Sequence, residues 1–183
     1  MHIVFARHGE STANTGRIIM NRGYSHGLTE KGRAQVHVLA DRLEGSGASV
    51  LYTSPLKRAV ESAQILGDRL DLSYTVASAL REFDCGVLEG RSDKRAWEEH
   101  ARIFREWYGE ENEGYAPSGG ENLFAIRERF RGFLGMIARN HPSDTVICVG
   151  HGGVYRAMIP YFFGLDSNLD NAEAIGIDSH PFV

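Results

Sequence analysis

The most constraining feature of this 183-residue sequence is the alternation of short apolar segments with longer amphipathic ones. Residues 3–6, 50–53, 74–77 and 145–149 are short and rich in apolar or β-branched side chains. Buried strands of a parallel sheet have this character, and helical patterns separate them here. The alternation predicts an α/β fold, in which a mostly parallel central sheet is flanked by helices in three layers. We expect residues 1–183 to form a single domain.

Capping residues and prolines predict where the helices begin and end. The first predicted helix is capped by Thr29 and runs to residue 44, the second is opened by Ser54-Pro55, and the third covers residues 92–108. The fourth begins after a capping box at Ser118–Glu121 and runs to residue 140. The fifth begins at Gly153 and is broken near Pro160. Residues 171–175 are a candidate last strand that returns to the sheet. The polar segments 15–27 and 109–118 either shape a site or simply connect the elements.

The bulk properties exclude several classes of protein. The formal net charge of -4 provides no global basic field for binding nucleic acid. Cys85 and Cys148 are far apart and form neither a disulfide framework nor a zinc pattern, which indicates a reducing compartment. No apolar run approaches the roughly 18 residues of a membrane span, and no secretory signal opens the sequence. We therefore expect a cytoplasmic protein without a nucleic-acid or membrane partner.

Polar side chains follow the predicted strands at the points where the strands end. Arg7 and His8 end the first strand, Arg58 follows the second, and His151 ends the fourth. Glu82 comes shortly after the third. Because ligands bind beyond the carboxyl ends of strands in open parallel sheets, we expect these five side chains to converge in one crevice.

The five residue types match the needs of phosphoryl transfer. Two arginines, Arg7 and Arg58, can hold the charged non-bridging oxygens. A neutral imidazole such as that of His8 can attack phosphorus and hold the group covalently. His151 can donate hydrogen bonds to the equatorial oxygens, and Glu82, protonated near a bound dianion, can protonate the leaving alkoxide. This chemistry requires no metal and no cofactor.

Six motifs, in the right order along the whole chain, resemble those of the histidine phosphatase superfamily, the group that includes the cofactor-dependent phosphoglycerate mutases. The motifs occupy residues 7–11 with Asn14, 27–32, 54–59 with 62–63, 80–82 with 86–90, 117–122, and 149–153. The resemblance implies a phosphoglycerate mutase-like fold. It also implies that His8 is the phosphorylated nucleophile and that Arg7, Arg58 and His151 form the phosphate pocket, with Asn14 at its edge.

The resemblance also bears on the proton donor and on the reaction. One branch of the family has an aspartate beside its second histidine, where this chain has Gly152, so the resemblance assigns the donor role to Glu82. The segment after the Glu89-Gly90 motif is shorter than in the mutases. Because a mutase must exclude water from its phosphoenzyme, a smaller roof favours hydrolysis. The sequence therefore predicts a metal-independent phosphomonoester hydrolase.

Three other functions stay open on the sequence alone. The first is phosphoryl transfer of the phosphoglycerate mutase type, and the second is a phosphate-binding module without turnover. The third is a zinc site formed by His8, His151 and Glu82, although the neighbouring arginines would repel a cation. Asp84 is a rival to Glu82 for the acid role. The substrate is expected to be a small phosphomonoester, with a phosphoprotein as the alternative, and the protein a monomer or a homodimer.

Overall fold

The structure is a computed structural model that describes residues 1–23, 25–165 and 169–178. Its single sheet consists of β1 (His2–Arg7), β2 (Ala48–Thr53), β3 (Tyr74–Val76), β4 (Thr145–Gly150) and β5 (Ala174–Asp178). The strand order is β3-β2-β4-β1-β5, with β5 antiparallel to β1 and the other neighbours parallel. The predicted mostly parallel sheet is confirmed, and its last strand begins at Ala174 rather than at residue 171.

The described residues form six α-helices. They are α1 (Thr12–Thr15), α2 (Glu30–Leu43), α3 (Lys57–Leu70), α4 (Lys94–Tyr108), α5 (Leu123–Asn140) and α6 (Gly152–Phe163). Thr29 caps α2 as predicted, because its side chain accepts a hydrogen bond from the Gly32 amide. The short α1 was not predicted, and it follows directly on the Arg7-His8 segment. None of the described helices combines the length and the apolarity that crossing a bilayer requires.

The helices cover both faces of the sheet. Successive residues of a strand point to opposite faces, so Ile3 and Phe5 pack into one apolar cluster while Val4 and Ala6 pack into another. The first cluster includes residues of α4, α5 and α6, and the second includes residues of α2 and α3. The predicted three-layer α/β domain is therefore confirmed.

Two predicted helix starts are wrong because their polar residues have other partners. Helix α3 begins after Leu56, which provides no side-chain cap, while the Ser54 hydroxyl lies 2.7 Å from His151 Nε2. Helix α5 is capped by Asn122, whose side chain accepts a hydrogen bond from the Ala125 amide. Glu121, expected to close a capping box, instead accepts from the Asp84 amide at 2.9 Å.

The predicted break of the last helix near Pro160 is also wrong. Helix α6 continues through Pro160 to Phe163 and ends at Gly164, whose φ of 67° is the left-handed conformation that glycine adopts readily. A proline inside a helix costs about 3 kcal/mol. Five side chains of α6 are buried in the core, and their burial offsets this cost.

Candidate active site

Three neighbouring strands bring the site together at one edge of the sheet. Strand β4 lies between β2 and β1, so His151, which follows β4 directly, lies between Ser54 and His8. Backbone hydrogen bonds continue the ladder past the strand ends, from the His8 amide to Gly150 O and from the Ser54 amide to Val149 O. The ring centroids of the two histidines are 5.0 Å apart. The sheet therefore brings the two histidines side by side.

The His8 ring is held with one particular nitrogen available. Its Nδ1 lies 2.6 Å from Gly9 O, a carbonyl that can only accept, so Nδ1 carries the hydrogen. Its Nε2 accepts a hydrogen bond from Arg58 Nε at 3.0 Å. Burial, reinforced by the Arg58 charge, lowers the pKa of His8 well below its usual value. The ring is thus a neutral imidazole with its lone pair on Nε2.

The His151 ring is held the opposite way round. Ser54 Oγ accepts a hydrogen bond from the Leu56 amide and lies 2.7 Å from His151 Nε2, a distance at which its hydroxyl can donate to that nitrogen. When the Ser54 hydroxyl donates to Nε2, the remaining nitrogen, Nδ1, carries the ring hydrogen and is a donor. Burial, followed by the charge of Arg58, lowers the pKa of His151. His151 is a neutral donor packed against the His8 ring.

Three buried donors of these residues lack a hydrogen-bond partner within the part of the chain that the structure describes. They are Arg7 Nε, Arg58 Nη1 and His151 Nδ1. Leaving a buried donor unpaired is costly, and such groups call for an explanation such as a bound ion. Gly152 packs against the guanidinium of Arg7, since a Cβ at position 152 would lie 3.1 Å from Arg7 Nε. The arrangement is suited to an anion with several oxygens that binds next to the His8 ring.

The Glu82 carboxyl group lies at the amino terminus of α6. Its Oε2 accepts a hydrogen bond from the Gly153 amide at 2.9 Å, and its Oε1 accepts one from the Val154 amide at 2.7 Å. Burial raises the pKa of Glu82, while these backbone hydrogen bonds and the Arg58 charge oppose that effect. The group lines the same cavity as His8 and Arg58. It is therefore a carboxyl group positioned at the site, with a pKa that burial raises above its usual value.

The rival carboxyl group, Asp84, is occupied elsewhere. Its Oδ2 accepts a hydrogen bond from Arg22 Nε at 2.6 Å, and its Oδ1 accepts one from the Gly86 amide at 2.7 Å. Asp84 does not line the cavity around His8. Of the two carboxyl groups that the sequence offered, the structure brings only Glu82 to the site.

The cavity has a volume of about 270 Å³ and extends beyond the predicted residues. Arg7, His8, Asn14, Arg58 and Glu82 line it, while His151 lies beside the His8 ring and does not itself line it. The Asn14 side chain belongs to the capping box of α1, where its Oδ1 accepts from the Ser11 amide at 3.0 Å. Five of the six predicted residues thus line the cavity, and the sixth, His151, packs against one of them.

Sequence reasoning missed most of the other residues that line the cavity. Residues 18–21 form part of it, so segment 15–27, in which residue 24 lies outside the described residues, does shape the site. Segment 109–118 contributes no described residue to this cavity. Trp97 and Phe104 line the cavity together with His100 and Arg156. Arg156 could have been found, because it follows Gly152 by four residues and so shares its helix face.

The zinc hypothesis finds no support in the arrangement of side chains. Within the ranges that the structure describes, no group of three or more His, Cys, Asp or Glu side chains is arranged to hold a metal ion. The guanidinium groups of Arg7 and Arg58 line the same cavity as His8 and would repel a cation.

Comparison with known proteins agrees with this geometry. A family model for the histidine phosphatase superfamily (branch 1) matches residues 3–179. The chain belongs to the histidine phosphatase superfamily. This confirms the family resemblance of the six sequence motifs.

Among curated proteins, this histidine phosphatase chain is 31% identical over 166 residues to phosphoserine phosphatase 1 of Hydrogenobacter thermophilus, covering 90% of the chain and 77% of that protein. It is 32% identical over 158 residues to a metal-independent phosphoserine phosphatase of Arabidopsis thaliana, covering 85% of the chain and 66% of that protein. Other relatives, at 27 to 29% identity, are named probable phosphoglycerate mutases. Both phosphatases and mutases are therefore among its relatives.

A solved structure of a mycobacterial glucosyl-3-phosphoglycerate phosphatase with VO3 has the same fold. It superposes with a TM-score of 0.78 at 25% identity, covering 97% of this chain and 92% of that one. The fold, the family and the clustering of the polar residues therefore agree with one another.

Proposed function

We propose that this protein is a metal-independent phosphomonoester hydrolase that acts through a phosphohistidine on His8, with Glu82 as the general acid. One observation carries the proposal: the available Nε2 of His8 is surrounded by residues whose buried donors have no partner among the described residues. Arg7, Arg58 and His151 supply these donors and would hold the phosphoryl oxygens. Asn14 would border the same pocket.

The first step forms the phosphoenzyme. His8 Nε2 attacks phosphorus, the N–P bond forms, and the bond from phosphorus to the ester oxygen breaks. The leaving oxygen takes its proton from Glu82, whose carboxyl group becomes a carboxylate. The charge that develops on the phosphoryl oxygens is balanced by Arg7 and Arg58, so no metal is needed for this purpose.

The second step releases inorganic phosphate. Glu82, now ionised, accepts a proton from a water molecule that attacks phosphorus, and the N–P bond breaks. His8 recovers its lone pair on Nε2, and Glu82 recovers its proton. The amides of Gly153 and Val154 would stabilise Glu82 while it is ionised between the steps.

A small phosphomonoester is the best-supported substrate class. Pockets for small molecules span about 300–1,000 Å³, so the cavity of about 270 Å³ lies just below this range and suits a small ligand. Two relatives are named phosphoserine phosphatases, and one solved neighbour is named a sugar phosphoglycerate phosphatase. Phosphoglycerate mutase activity is the alternative, and it is distinguished by whether phosphate appears in solution or moves within the substrate.

Replacing His8 tests the proposal directly. We expect His8→Ala to abolish hydrolysis of 4-nitrophenyl phosphate in the presence of a chelator, because the nucleophile is gone. Incubation with a radiolabelled phosphomonoester and quenching in base, which preserves phosphohistidine, should label the wild type and leave His8→Ala unlabelled.

His37→Ala is the matched control, since His37 is a residue of α2 outside the cavity. It should keep wild-type hydrolysis and labelling. A His8→Ala protein that still hydrolyses the ester, or a wild type that turns over without ever carrying label, would contradict the phosphohistidine mechanism.

A further inference from the structure

We infer that Arg156 selects phosphomonoesters whose leaving group is flat and carries a second negative charge, such as an aryl phosphate bearing a carboxylate. The inference rests on the proposed function and specifies the substrate class of the same site. Three observations support the inference: the position of Arg156, the lack of a carboxylate partner for Arg156 among the described residues, and the aromatic side chains that line the cavity beside Arg156.

Arg156 lies on the face of α6 that borders the cavity. It follows Gly152 by four residues, which places it about 6 Å further along the helix axis. Gly152 packs against the guanidinium of Arg7, one of the proposed phosphate ligands. Arg156 therefore lies about one helical turn from the phosphate-binding end of the cavity, where the leaving group would extend.

The guanidinium of Arg156 is available to a ligand. Its carbon Cζ lies 4.8 Å from the centroid of the Phe104 ring, which supports the cation from one side. Among the described residues, no carboxylate pairs with it. Many other arginines of this chain form ion pairs, as Arg129 does with Glu121. A guanidinium without a carboxylate partner at the border of a cavity is a receptor for an anion.

The electrostatics of the cavity favour a ligand with more than one negative charge. Among its described lining residues, the carboxyl group is that of Glu82, which already accepts hydrogen bonds from three backbone amides. Arg7 and Arg58 would be matched by the phosphoryl group. Burial lowers the pKa of His100 to about 4, so this ring is neutral near pH 7. Arg156 is then a cation that the phosphoryl group leaves unmatched.

The wall beside Arg156 is aromatic. His100 stacks on Phe83 with centroids 5.7 Å apart and meets Trp97 edge-on at 5.1 Å. Phe104 meets Phe83 at 5.6 Å, so these rings form one continuous surface along the cavity. Flat leaving groups stack favourably on such a surface. An aromatic body against this wall would place its substituent near Arg156.

Two near-isosteric substrates measure the role of Arg156. They are 4-carboxyphenyl phosphate, which carries the second charge, and 4-carbamoylphenyl phosphate, which does not. We expect the ratio of their kcat/KM values to fall about three- to tenfold in Arg156→Gln, as expected for a partly exposed charge pair. Comparing ratios between proteins cancels the difference in leaving-group acidity. In the wild type the ratio should also fall with added salt, which screens charges.

Arg131→Gln is the matched control, because Arg131 is also exposed and lies near an aromatic ring, that of Phe162, but does not line the cavity. Its ratio should equal that of the wild type. A wild type that hydrolyses both esters, with the same ratio in Arg156→Gln, would overturn the inference while leaving the proposed function intact. A wild type that hydrolyses neither ester, and forms no phosphoenzyme, would contradict the proposed function and the inference together.

Discussion

At the residue scale, one hydrogen bond decides what each of the two site histidines can do. The Gly9 carbonyl occupies Nδ1 of His8 and leaves a lone pair on Nε2, whereas the Ser54 hydroxyl occupies Nε2 of His151 and leaves a hydrogen on Nδ1. The same ring is thereby suited to attack in one case and to donation in the other. The sequence indicates that both histidines follow strands, but it does not reveal which nitrogen is available.

Glu82 supplies the test that belongs to this scale. We expect Glu82→Gln, which keeps the shape but provides no acidic proton, to lower kcat/KM for alkyl phosphates such as phosphoserine by about 10²–10⁴-fold, because kcat/KM reports the step that forms the phosphoenzyme. The loss should be much smaller for 4-nitrophenyl phosphate, whose leaving group departs without a proton. Steady-state kinetics with both esters would reveal the difference.

Asp84→Asn is the control for this measurement, because Asp84 is paired with Arg22 outside the cavity. Asp84→Asn should change the activities towards the alkyl phosphate and 4-nitrophenyl phosphate only slightly and by the same factor. Equal losses in kcat/KM for both esters in Glu82→Gln would show that Glu82 does not act as the proton donor.

At the element scale, the start of helix α6 serves several purposes. Its first residue packs against Arg7, its next amides bind Glu82, and its fifth residue is Arg156. Glycine is needed at position 153 because a Cβ there would lie 2.7 Å from Glu82 Oε1 and 2.6 Å from a ring carbon of Phe83. The glycines after His151 thus allow the carboxyl group to approach the helix terminus closely.

Replacing Gly153 with alanine tests whether activity depends on the close approach of Glu82, since alanine by itself favours a helix more than glycine does. We expect Gly153→Ala to displace Glu82 and lower kcat/KM at least tenfold, by a loss of about 1.4 kcal/mol or more in transition-state binding. It should also lower the free energy of unfolding, because rigid neighbours oppose the new methyl group. Enzyme kinetics and urea unfolding measure the two effects.

Gly132→Ala is the control, because alanine at this helix position is expected to stabilise the protein. Gly132 lies in α5, and a Cβ there would meet nothing within 4 Å, so the substitution should raise the free energy of unfolding by about 0.5–1 kcal/mol without changing activity. If Gly153→Ala kept its activity and gained stability as Gly132→Ala does, the close approach of Glu82 to α6 would not be needed for catalysis.

At the scale of the whole molecule, the layers bury several histidines that must stay neutral. The pKa of His100 is lowered to about 4 by burial, whereas a histidine in an unfolded chain titrates near 6.5. Between these values the unfolded chain binds more protons than the folded one. Stability therefore falls as the pH is lowered through this window. Burial lowers the pKa of His8 and of His151 in the same direction.

Removing the His100 titration should make the fold less sensitive to acid. We expect His100→Gln to lose less stability than the wild type between about pH 6.5 and about pH 4, because its side chain does not take up a proton in the unfolded state. Urea unfolding at several pH values measures this. His37→Gln, in α2, should retain the wild-type dependence. Identical curves for His100→Gln and the wild type would refute this account.

Much of the architecture is visible in local patterns. Short apolar segments predicted four strands, Thr29 predicted the start of α2, and the motifs around His8, Arg58, Glu82 and His151 indicated the family. The positions of these strands and the start of α2 depend mainly on neighbouring residues, so local sequence predicts them. Predictions made from cap residues alone failed at Ser54 and Glu121, because each of these side chains has a partner distant in the sequence.

By itself, the sequence determined the order of the elements, the three layers and the set of residues that meet at the edge of the sheet. Only the tertiary structure decided which nitrogen each histidine presents, which carboxyl group faces the cavity and which wall faces the leaving group. The physical reason is that these properties depend on contacts between residues far apart in the chain. Ser54 lies 97 positions from His151, and Glu82 lies 71 from Gly153. Short-range patterns contain no information about such pairs.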